Sequence, residues 1–292
     1  MGVLFTGSTQ ADPAIPEQTK QSPTLAAPLP EVVIRAQREA LERDVHAYVS
    51  SSIRKSFDTS LARWNQPICP LVVGVAPEED RMFFRGRLSE IAVEAGARVA
   101  SQPCRANLVV IVTDKPKEVL SGWYKRNTHI FGGEVGSAVN PFLNTPRPVR
   151  VWYNTSSAPS SGVPYAPVTI VPVKPGSALR FDYSADDTHV VYNSVRGFSS
   201  VIVTVDSTLT QGLKLTQLSD YAAVVGLAEI RSDPDVGAAP TILGLFSNSL
   251  EAKATGLTAW DTAFLKALYH TNQRSKAQRG LITTSIVHDL AP

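Results

Sequence analysis

The sequence lacks a long apolar run and a concentrated basic segment. Its longest apolar runs, such as 71–76 and 108–112, have the length of strands and fall well short of the roughly 18 residues that span a membrane. The 28 Lys and Arg side chains oppose 26 Asp and Glu, for a net charge of +2. Nucleic-acid binding takes much of its affinity from clustered cations at phosphates. We therefore predict no nucleic-acid partner and no transmembrane span.

The chain also lacks the short motifs of common active sites. It has no Gly-x-Ser-x-Gly serine-hydrolase turn, no P-loop and no Gly-x-Gly-x-x-Gly dinucleotide loop. The histidines have no spacing that places two of them on one helix face as metal ligands. They are His46, His129, His189, His270 and His288. We predict no cofactor and no resident metal.

Cysteine is scarce, with one residue at the start of each of two strand-like segments. Cys69 precedes Leu-Val-Val, and Cys104 lies just before Asn107-Leu-Val-Val-Ile-Val. If the two strands are neighbours, the sulfur atoms are close enough to form a disulfide, which would stabilise the fold by roughly 3–4 kcal/mol. A disulfide fits an exported, periplasmic or secreted protein. The alternative is a pair of unpaired thiols in a cytosolic protein.

The N-terminal residues 1–30 are rich in Pro, Gln, Thr and Ala. The apolar start is followed by Thr9-Gln-Ala11, which has the small-x-small pattern of a signal-peptide cleavage site. The basic region and the full apolar core of a signal peptide are missing. We interpret residues 1–30 as a signal-peptide remnant and disordered linker; the alternative is a disordered N-terminus alone.

From residue 31 onward, the pattern predicts a single α/β domain over 31–292. Apolar residues at helical spacing predict the first helix, and a second helix begins at Pro77 behind three acidic residues and ends at Gly96. Thr258 and Asp261 form a capping box. The predicted elements are helices over 31–62, 77–96, 215–229 and 258–269, and strands over 68–75, 107–113, 149–153, 168–172, 189–193 and 198–206. Residues 67–124 form a β-α-β unit, and 125–197 form a loop-rich insertion.

Three segments carry a resemblance to a known family. Ala106-Asn-Leu-Val-Val-Ile-Val looks like an Ala-Asp-Ile-x-Ile strand, and Leu257-Thr-Ala-Trp-Asp, ending in Leu-Tyr269, looks like a closing helix. Residues 219–229 fall where a zinc-binding helix would lie. In this order the segments resemble the metzincin-type zinc peptidases, over about 67–275 in outline. The resemblance implies an α+β, α/β-like fold with a zincin-like twisted sheet, long packed helices and a degenerate zincin-like half over 198–275.

The zinc motif of that family is His-Glu-x-x-His-x-x-Gly-x-x-His. Aligned on Gly226, this chain has Ser219, Asp220, Ala223 and Glu229. All three histidine positions are lost, and Asp220 is left where the general base would lie. The turn over 241–247 also lacks the family's methionine. The resemblance thus implies a scaffold without zinc; the alternative is that 215–229 is an ordinary core helix.

A second resemblance concerns the segment Ala62-Arg-Trp-x-x-Pro-Ile-Cys-Pro-Leu-Val-Val-Gly74 and the cysteine before Asn107-Leu. These residues resemble an uncharacterised group of secreted proteobacterial proteins. The resemblance implies export and a disulfide, and it implies no activity.

Two regions are candidates for binding a partner. We predict that Val201, Val203 and Val205 lie on an edge strand that accepts an extended chain, as in a peptidase cleft. Aromatic residues beside basic ones, as at Trp123, Tyr124, Trp152 and Tyr153, can bind glycans or peptides, although such residues more often cover the edge of a core.

Three hypotheses for function follow. The first is a non-catalytic envelope protein that binds a peptide, glycan or protein partner in a degenerate peptidase-like cleft. The second is a metal-dependent hydrolase with non-standard ligands, such as Asp220, Glu229 and a histidine. The third is a structural or assembly component with no ligand. The missing motif favours a protein that is not an enzyme, and the first hypothesis over the others.

Overall fold

The structure is a computed structural model that describes residues 1–2, 30–54, 60–133, 136–159, 169–171, 180–182, 194–247, 253–273 and 277–291. The predicted signal-peptide remnant, apart from its ends, and the predicted strand over 189–193 lie outside these residues. The helices are α1 (Pro30–Ser52), α2 (Glu78–Ala95), α3 (Pro116–Arg126), α4 (Val139–Asn144), α5 (Leu215–Leu227), α6 (Ala259–His270) and α7 (Gln278–Leu290). The strands are β1 (Pro70–Val73), β2 (Leu108–Thr113), β3 (Val149–Pro159), β4 (Thr169–Val171), β5 (Arg180–Asp182) and β6 (Ser194–Asp206). Short 3-10 helices cover Thr128–Phe131 and Ile242–Phe246.

Four strands form an open mixed sheet in the order β1-β2-β6-β3. β1 and β6 both run parallel to β2, whereas β3 runs antiparallel to β6. β4 and β5 pair separately with each other. The fold class is therefore mixed α/β, with an antiparallel strand at one end of the sheet.

The sheet is buried on both faces because its strands are apolar at successive positions. In β2, Leu108 and Val110 lie in one hydrophobic cluster, and Val109 and Ile111 lie in the other. The first face is covered by α1, α2, α5, α6 and α7, which contribute to the larger cluster. The second face is covered by α3, α4 and the first 3-10 helix. Strands that are apolar on both sides are typical of a sheet enclosed by two helical layers.

The predictions for two helices, α2 and α6, are confirmed in detail. The buried residues of α2 are the predicted stripe Phe84, Leu88, Ile91, Ala92 and Ala95. The helix ends at Gly96, whose φ of 95° is left-handed and therefore favours glycine. At the start of α6, the Thr258 side chain accepts from the Asp261 backbone N–H, and the Asp261 side chain accepts in return from the Thr258 N–H.

The first helix is shorter than predicted. α1 ends at Ser52 because long-range backbone pairing replaces the helical pattern there. Ile53 forms an antiparallel bridge with Ile230, and the Arg54 N–H donates to Glu229 O at 3.0 Å. The end of α1 is thereby joined to the segment that follows α5, a contact that local periodicity does not encode.

The first part of the region predicted as a loop-rich insertion over 125–197 is more regular than expected. Residues 116–144 contain α3 and α4, and β3 extends to Pro159 rather than ending at Tyr153. The region's large apolar residues complete the cluster on the second face of the sheet, where Phe131 contacts Phe142 and Trp152. A further helix, α7, follows the last predicted one and packs against α1 and α6.

The two cysteines form the predicted disulfide. Cys69 and Cys104 are joined, with their Cα atoms 6.0 Å apart. The parallel pairing of β1 with β2 places the starts of these strands side by side, as the prediction required. Asn107 strengthens the same junction, since its side-chain oxygen accepts from the Cys69 N–H at 2.7 Å and its amide donates to Pro67 O at 3.0 Å.

Candidate ligand-binding groove

The positions aligned with the zinc motif lie inside the core. Ser219 and Ala223 are fully buried on α5, and the Ser219 hydroxyl donates to the helical carbonyl of Thr216 at 3.0 Å. Gly226 packs against Leu108 of β2, where an added Cβ would come within 3.0 Å of the leucine side chain. Its carbonyl accepts from the Trp64 indole at 2.8 Å. These three positions are thus filled by protein and do not line a cleft.

Asp220, at the position of the general base, is held by an ion pair. Its side chain accepts from Arg87 Nε at 2.6 Å and from the Leu257 N–H at 2.6 Å. Only 3% of the Asp220 side chain is exposed. Arg87 lies on α2, so the carboxylate joins α2, α5 and the loop before α6. The bond to Asp220 also raises the pKa of the Arg87 guanidinium.

Glu229, at the third histidine position, is held in the same way by a different arginine. Arg196 of β6 forms a two-pronged ion pair with the Glu229 carboxylate, and its Nη2 also donates to Thr155 at 3.0 Å. Asp220 and Glu229 therefore neutralise separate cations and do not converge on one point. Among the described residues, no group of three His, Cys, Asp or Glu side chains is placed to hold a metal ion.

The turn over 241–247, which takes the place of the family's methionine turn, is a 3-10 helix capped by Asp261. That carboxylate accepts from the Ile242 N–H at 2.9 Å and from the Thr241 hydroxyl. Burial of Asp261 raises the pKa of its carboxyl, and these hydrogen bonds act in the opposite direction. The turn is therefore fixed to the start of α6 by a buried polar contact.

The predicted cleft strand is not at the edge of the sheet. β6 lies between β2 and β3, with Val203 opposite Val110 on one side and Val151 on the other. Val201, Val203 and Val205 are fully buried. The prediction that they accept an added strand is wrong, because their backbone groups already pair within the sheet. The long connection after β2 returns to place β3 outside β6, and sequence order alone does not reveal that.

A groove lies instead along the outer edge of β3, with a volume of about 400 Å³. Its floor is the edge of β3 from Val149 to Tyr153. One wall, the α4 wall, consists of Ala138, Pro141, Phe142 and Thr145. The other, the α5 wall, consists of Arg54, Tyr221, Val225, Ile230, Arg231 and Ser232. We call this feature the β3 groove.

The β3 groove exposes unpaired peptide groups of the strand. The Asp206 N–H donates to Pro148 O at 2.8 Å, which fixes the side on which β3 bonds to β6. Because the pattern alternates in an antiparallel pair, residues 150 and 152 bond to β6, and the N–H and C=O groups of Val149, Val151 and Tyr153 point away from it. Within the described part of the chain, these three residues have no backbone hydrogen-bond partner on the outer side.

Arg150 is the most unusual residue of the groove. It is only 6% exposed, and its Nη1 donates to Leu143 O at 2.9 Å. Its buried Nε has no hydrogen-bond partner, and no carboxylate of the described residues forms an ion pair with it. Burial lowers the pKa of the Arg150 guanidinium, the Asp206 carboxylate opposes this effect, and Arg147 adds a smaller effect in the same direction as burial. Arginine remains charged in proteins, so this site holds a buried cation without a paired anion.

Three further arginines surround Arg150. Arg147, just before β3, forms an ion pair with Asp233 and donates to Ser232 O at 2.7 Å. Arg54 lies 4.0 Å from Glu229, and 61% of its side chain is exposed. Arg231 is exposed, and its backbone N–H donates to Ser52 O at 2.8 Å. No Asp or Glu is among the residues that line the groove. Asp233 and Glu229, which pair with Arg147 and Arg54, and Asp206, which interacts with Arg150, lie outside this lining. The charged side chains that line the groove are thus all cations.

The aromatic residues of the groove give its walls a fixed shape. The Tyr153 hydroxyl donates to Val225 O at 2.9 Å and accepts from the Ile230 N–H at 3.2 Å, which links β3 to both ends of the α5 wall. Burial raises the pKa of Tyr153, so the hydroxyl stays protonated. Trp152 donates to Asn154 Oδ1 at 2.9 Å and contacts Phe142 of the α4 wall. Of the four predicted aromatic residues, Trp152 and Tyr153 line the groove, whereas Trp123 and Tyr124 lie in the second hydrophobic cluster.

Comparisons with known proteins give no information about the function of the groove. No protein-family model, no curated protein sequence and no solved structure matches the chain. No helix in the described part of the chain is long and apolar enough to cross a membrane.

The arginines of the groove are not predictable as one site from the sequence, because they come from separate segments. Arg54 follows α1, Arg231 follows α5, and only Arg147 and Arg150 are close in the sequence. One pattern does distinguish the last pair. They enclose Pro148-Val149, and Arg150 lies in a strand two residues before the aromatic pair Trp152-Tyr153.

Proposed function

We propose that this chain is a non-catalytic, exported binding protein that holds an extended polypeptide segment in the β3 groove. The observation that carries the proposal is the set of outward-facing peptide groups at Val149, Val151 and Tyr153, which lie on the floor of a groove with two walls. An extended segment can add to such an edge as a further strand, with its main chain supplying affinity and its side chains meeting the walls.

The ion pairs at the motif positions support a protein that is not an enzyme. A zinc-dependent mechanism needs ligands and a free general base, yet Asp220 and Glu229 are each bound to an arginine. These contacts weigh against the alternative of a hydrolase with non-standard ligands. A zinc-peptidase-like ancestry stays part of the proposal. The order of β-α-β unit, antiparallel strand, central strand and following helices supports it.

Export of the protein is supported by the disulfide between Cys69 and Cys104, since disulfides form and persist in oxidising compartments. A periplasmic or secreted protein that binds a segment of another polypeptide fits the envelope role. The third alternative, a structural component with no ligand, differs in that its β3 edge would bind no peptide.

The proposal is tested by removing one outward-facing N–H. Val151→Pro deletes a donor that β6 does not use, and proline is tolerated on edge strands at such positions. The probe is a phage library of random 12-residue peptides, selected on the wild-type protein. We expect selected peptides to lose at least about tenfold in affinity for Val151→Pro, because one hydrogen bond is lost and the ring obstructs the edge.

The matched control is Val151→Ala, which shortens the side chain and keeps the N–H. It should bind the selected peptides within about threefold of the wild type, and hydrogen exchange at the Val151 and Tyr153 amides should slow when peptide is bound. Equal binding by Val151→Pro, or no selected peptide at all, would overturn the proposal.

A further inference from the structure

The charged side chains that line the β3 groove are all cations, which favours an occupant with negative charge. Four arginines line it, and no acidic residue does. Arg147 is already paired with Asp233, and Arg54 is near Glu229. Arg150 and Arg231 have no ion-pair partner in the described part of the chain. The groove therefore has cationic capacity that its own carboxylates leave unused.

Arg150 provides an independent reason to expect an anion. Its side chain lies more than nine-tenths buried, with Nε unpaired. A buried polar group without a partner costs roughly 1–3 kcal/mol, and more for a charged one. Arg196, by contrast, has the Glu229 carboxylate and Thr155 around its guanidinium. A carboxylate entering the β3 groove could give Arg150 the charged partner that Arg196 has within the fold.

The positions of the arginines on the floor and on the α5 wall favour acidic side chains over a single terminal carboxylate. Arg150 points from β3 towards Leu143 at the end of α4, whereas Arg54 and Arg231 lie on the α5 wall. Successive side chains of an extended strand point to opposite sides. Two adjacent acidic residues in a bound strand would therefore meet Arg150, on the side of α4, and Arg54 or Arg231 on the α5 wall.

We propose that the β3 groove binds an extended segment with adjacent Asp or Glu residues, one of which contacts Arg150. This inference rests on the proposed function and specifies the class of peptide. Arginine suits the role because its planar guanidinium matches a carboxylate in a two-pronged geometry.

The test uses three synthetic peptides with the same backbone. The first is acetyl-Ser-Val-Thr-Glu-Glu-Thr-Val-Ser-amide. The second replaces both glutamates by glutamine and remains blocked at both ends. The third is the glutamine peptide with a free C-terminal carboxylate. Isothermal titration calorimetry measures Kd for each with the full chain. We expect the blocked glutamate peptide to bind at least about tenfold more tightly than either glutamine peptide.

Arginine variants test which side chains of the groove cause the preference for glutamate over glutamine. Arg150→Met should remove most of the difference between the glutamate and glutamine peptides, and Arg150→Lys should restore part of it. Arg231→Gln, at an exposed position, should weaken the glutamate peptide by about two- to fivefold. The matched control is Arg85→Gln, an exposed arginine of α2 that does not line the groove. It changes the net charge equally and should leave the preference unchanged.

The outcomes separate this inference from the proposed function. If glutamate and glutamine peptides bind equally well and both lose affinity for Val151→Pro, strand addition stands and the acidic preference is wrong. If the free-acid glutamine peptide binds best, a terminal carboxylate is the ligand and the inference is overturned. Tighter binding of an oligothymidylate than of the glutamate peptide would overturn it as well. If no peptide binds, both proposals fail.

Discussion

The two ends of the central sheet differ in how their side chains are bonded to the rest of the fold. At the β1 end, the disulfide joins Cys69 to Cys104, and the Asn107 amide bonds to the backbone on both sides. At the β3 end, three residues direct peptide groups into a groove, and Arg150 is buried without an ion-pair partner among the described residues. Native proteins rarely leave buried polar groups unpaired, and exceptions call for an explanation. The comparison supports our proposal that the β3 end binds a partner, whereas the crosslinked β1 end stabilises the fold.

The largest effect should come from breaking the β1 end. Replacing both cysteines, Cys69→Ser with Cys104→Ser, opens a crosslink between residues separated by 35 positions. The chain-entropy relation gives a loss of about 4 kcal/mol in the free energy of unfolding. Urea denaturation measures it, and reduction of the wild-type protein serves as the control. A loss below about 1 kcal/mol would show that the β1 end does not depend on the disulfide.

A smaller but still large loss of stability should follow when Arg196, like Arg150, is left without an ion-pair partner in the described part of the chain. Glu229→Gln leaves Arg196, whose side chain is 15% exposed, without its carboxylate. Breaking a buried ion pair from one side costs about 3 kcal/mol, measured again by urea denaturation. Glu118→Gln, at an exposed position of α3, is the control and should change stability by less than about 1 kcal/mol. A change below about 1 kcal/mol for Glu229→Gln would contradict our view that Arg196, unlike Arg150, depends on a carboxylate partner.

The smallest effect on stability should come from the β3 end itself. Arg150→Met loses the bond to Leu143 O, which is worth about 1 kcal/mol, and it also removes a buried charge that has no anion. These two changes oppose each other, so we expect the free energy of unfolding to change by less than about 1 kcal/mol. Thermal and urea denaturation of the variant check this. A loss above about 3 kcal/mol would mean that Arg150 is as structural as Arg196.

Local features of the fold were predictable because local chemistry determines them. The buried stripe of α2, its end at Gly96 and the capping box at Thr258 each depend on residues within a few positions of one another. The disulfide was predictable from one assumption, that the strands after its cysteines are neighbours. Each of these predictions needed little knowledge of the tertiary structure.

The candidate site could not be predicted from local sequence patterns, because contacts between distant segments form it. β6 has the alternating pattern of a half-buried strand, yet it lies inside the sheet because β3 returns to pair with its outer side. The resemblance to a zinc peptidase made Asp220 a candidate site residue. Its ion pair with Arg87, which lies on another helix, could not be predicted from the sequence. Arg150 was not predicted as a site residue, because its burial and its lack of an ion-pair partner among the described residues depend on the tertiary structure. Burial and pairing of a charge are not properties of its sequence neighbours.

The open edge of β3 also bears on how two copies of this chain meet. An exposed strand edge with free peptide groups can pair with the same edge of another copy, and proteins counter this with charged residues beside it. Arg231, which has no ion-pair partner in the described part of the chain, lines the groove beside this edge together with Arg54 and Arg147. Pairing of two identical edges would bring these arginines close to their copies. The cations that we propose to bind an acidic segment would thus also disfavour self-association. We expect such an edge to select a strand of opposite charge over a second copy of itself.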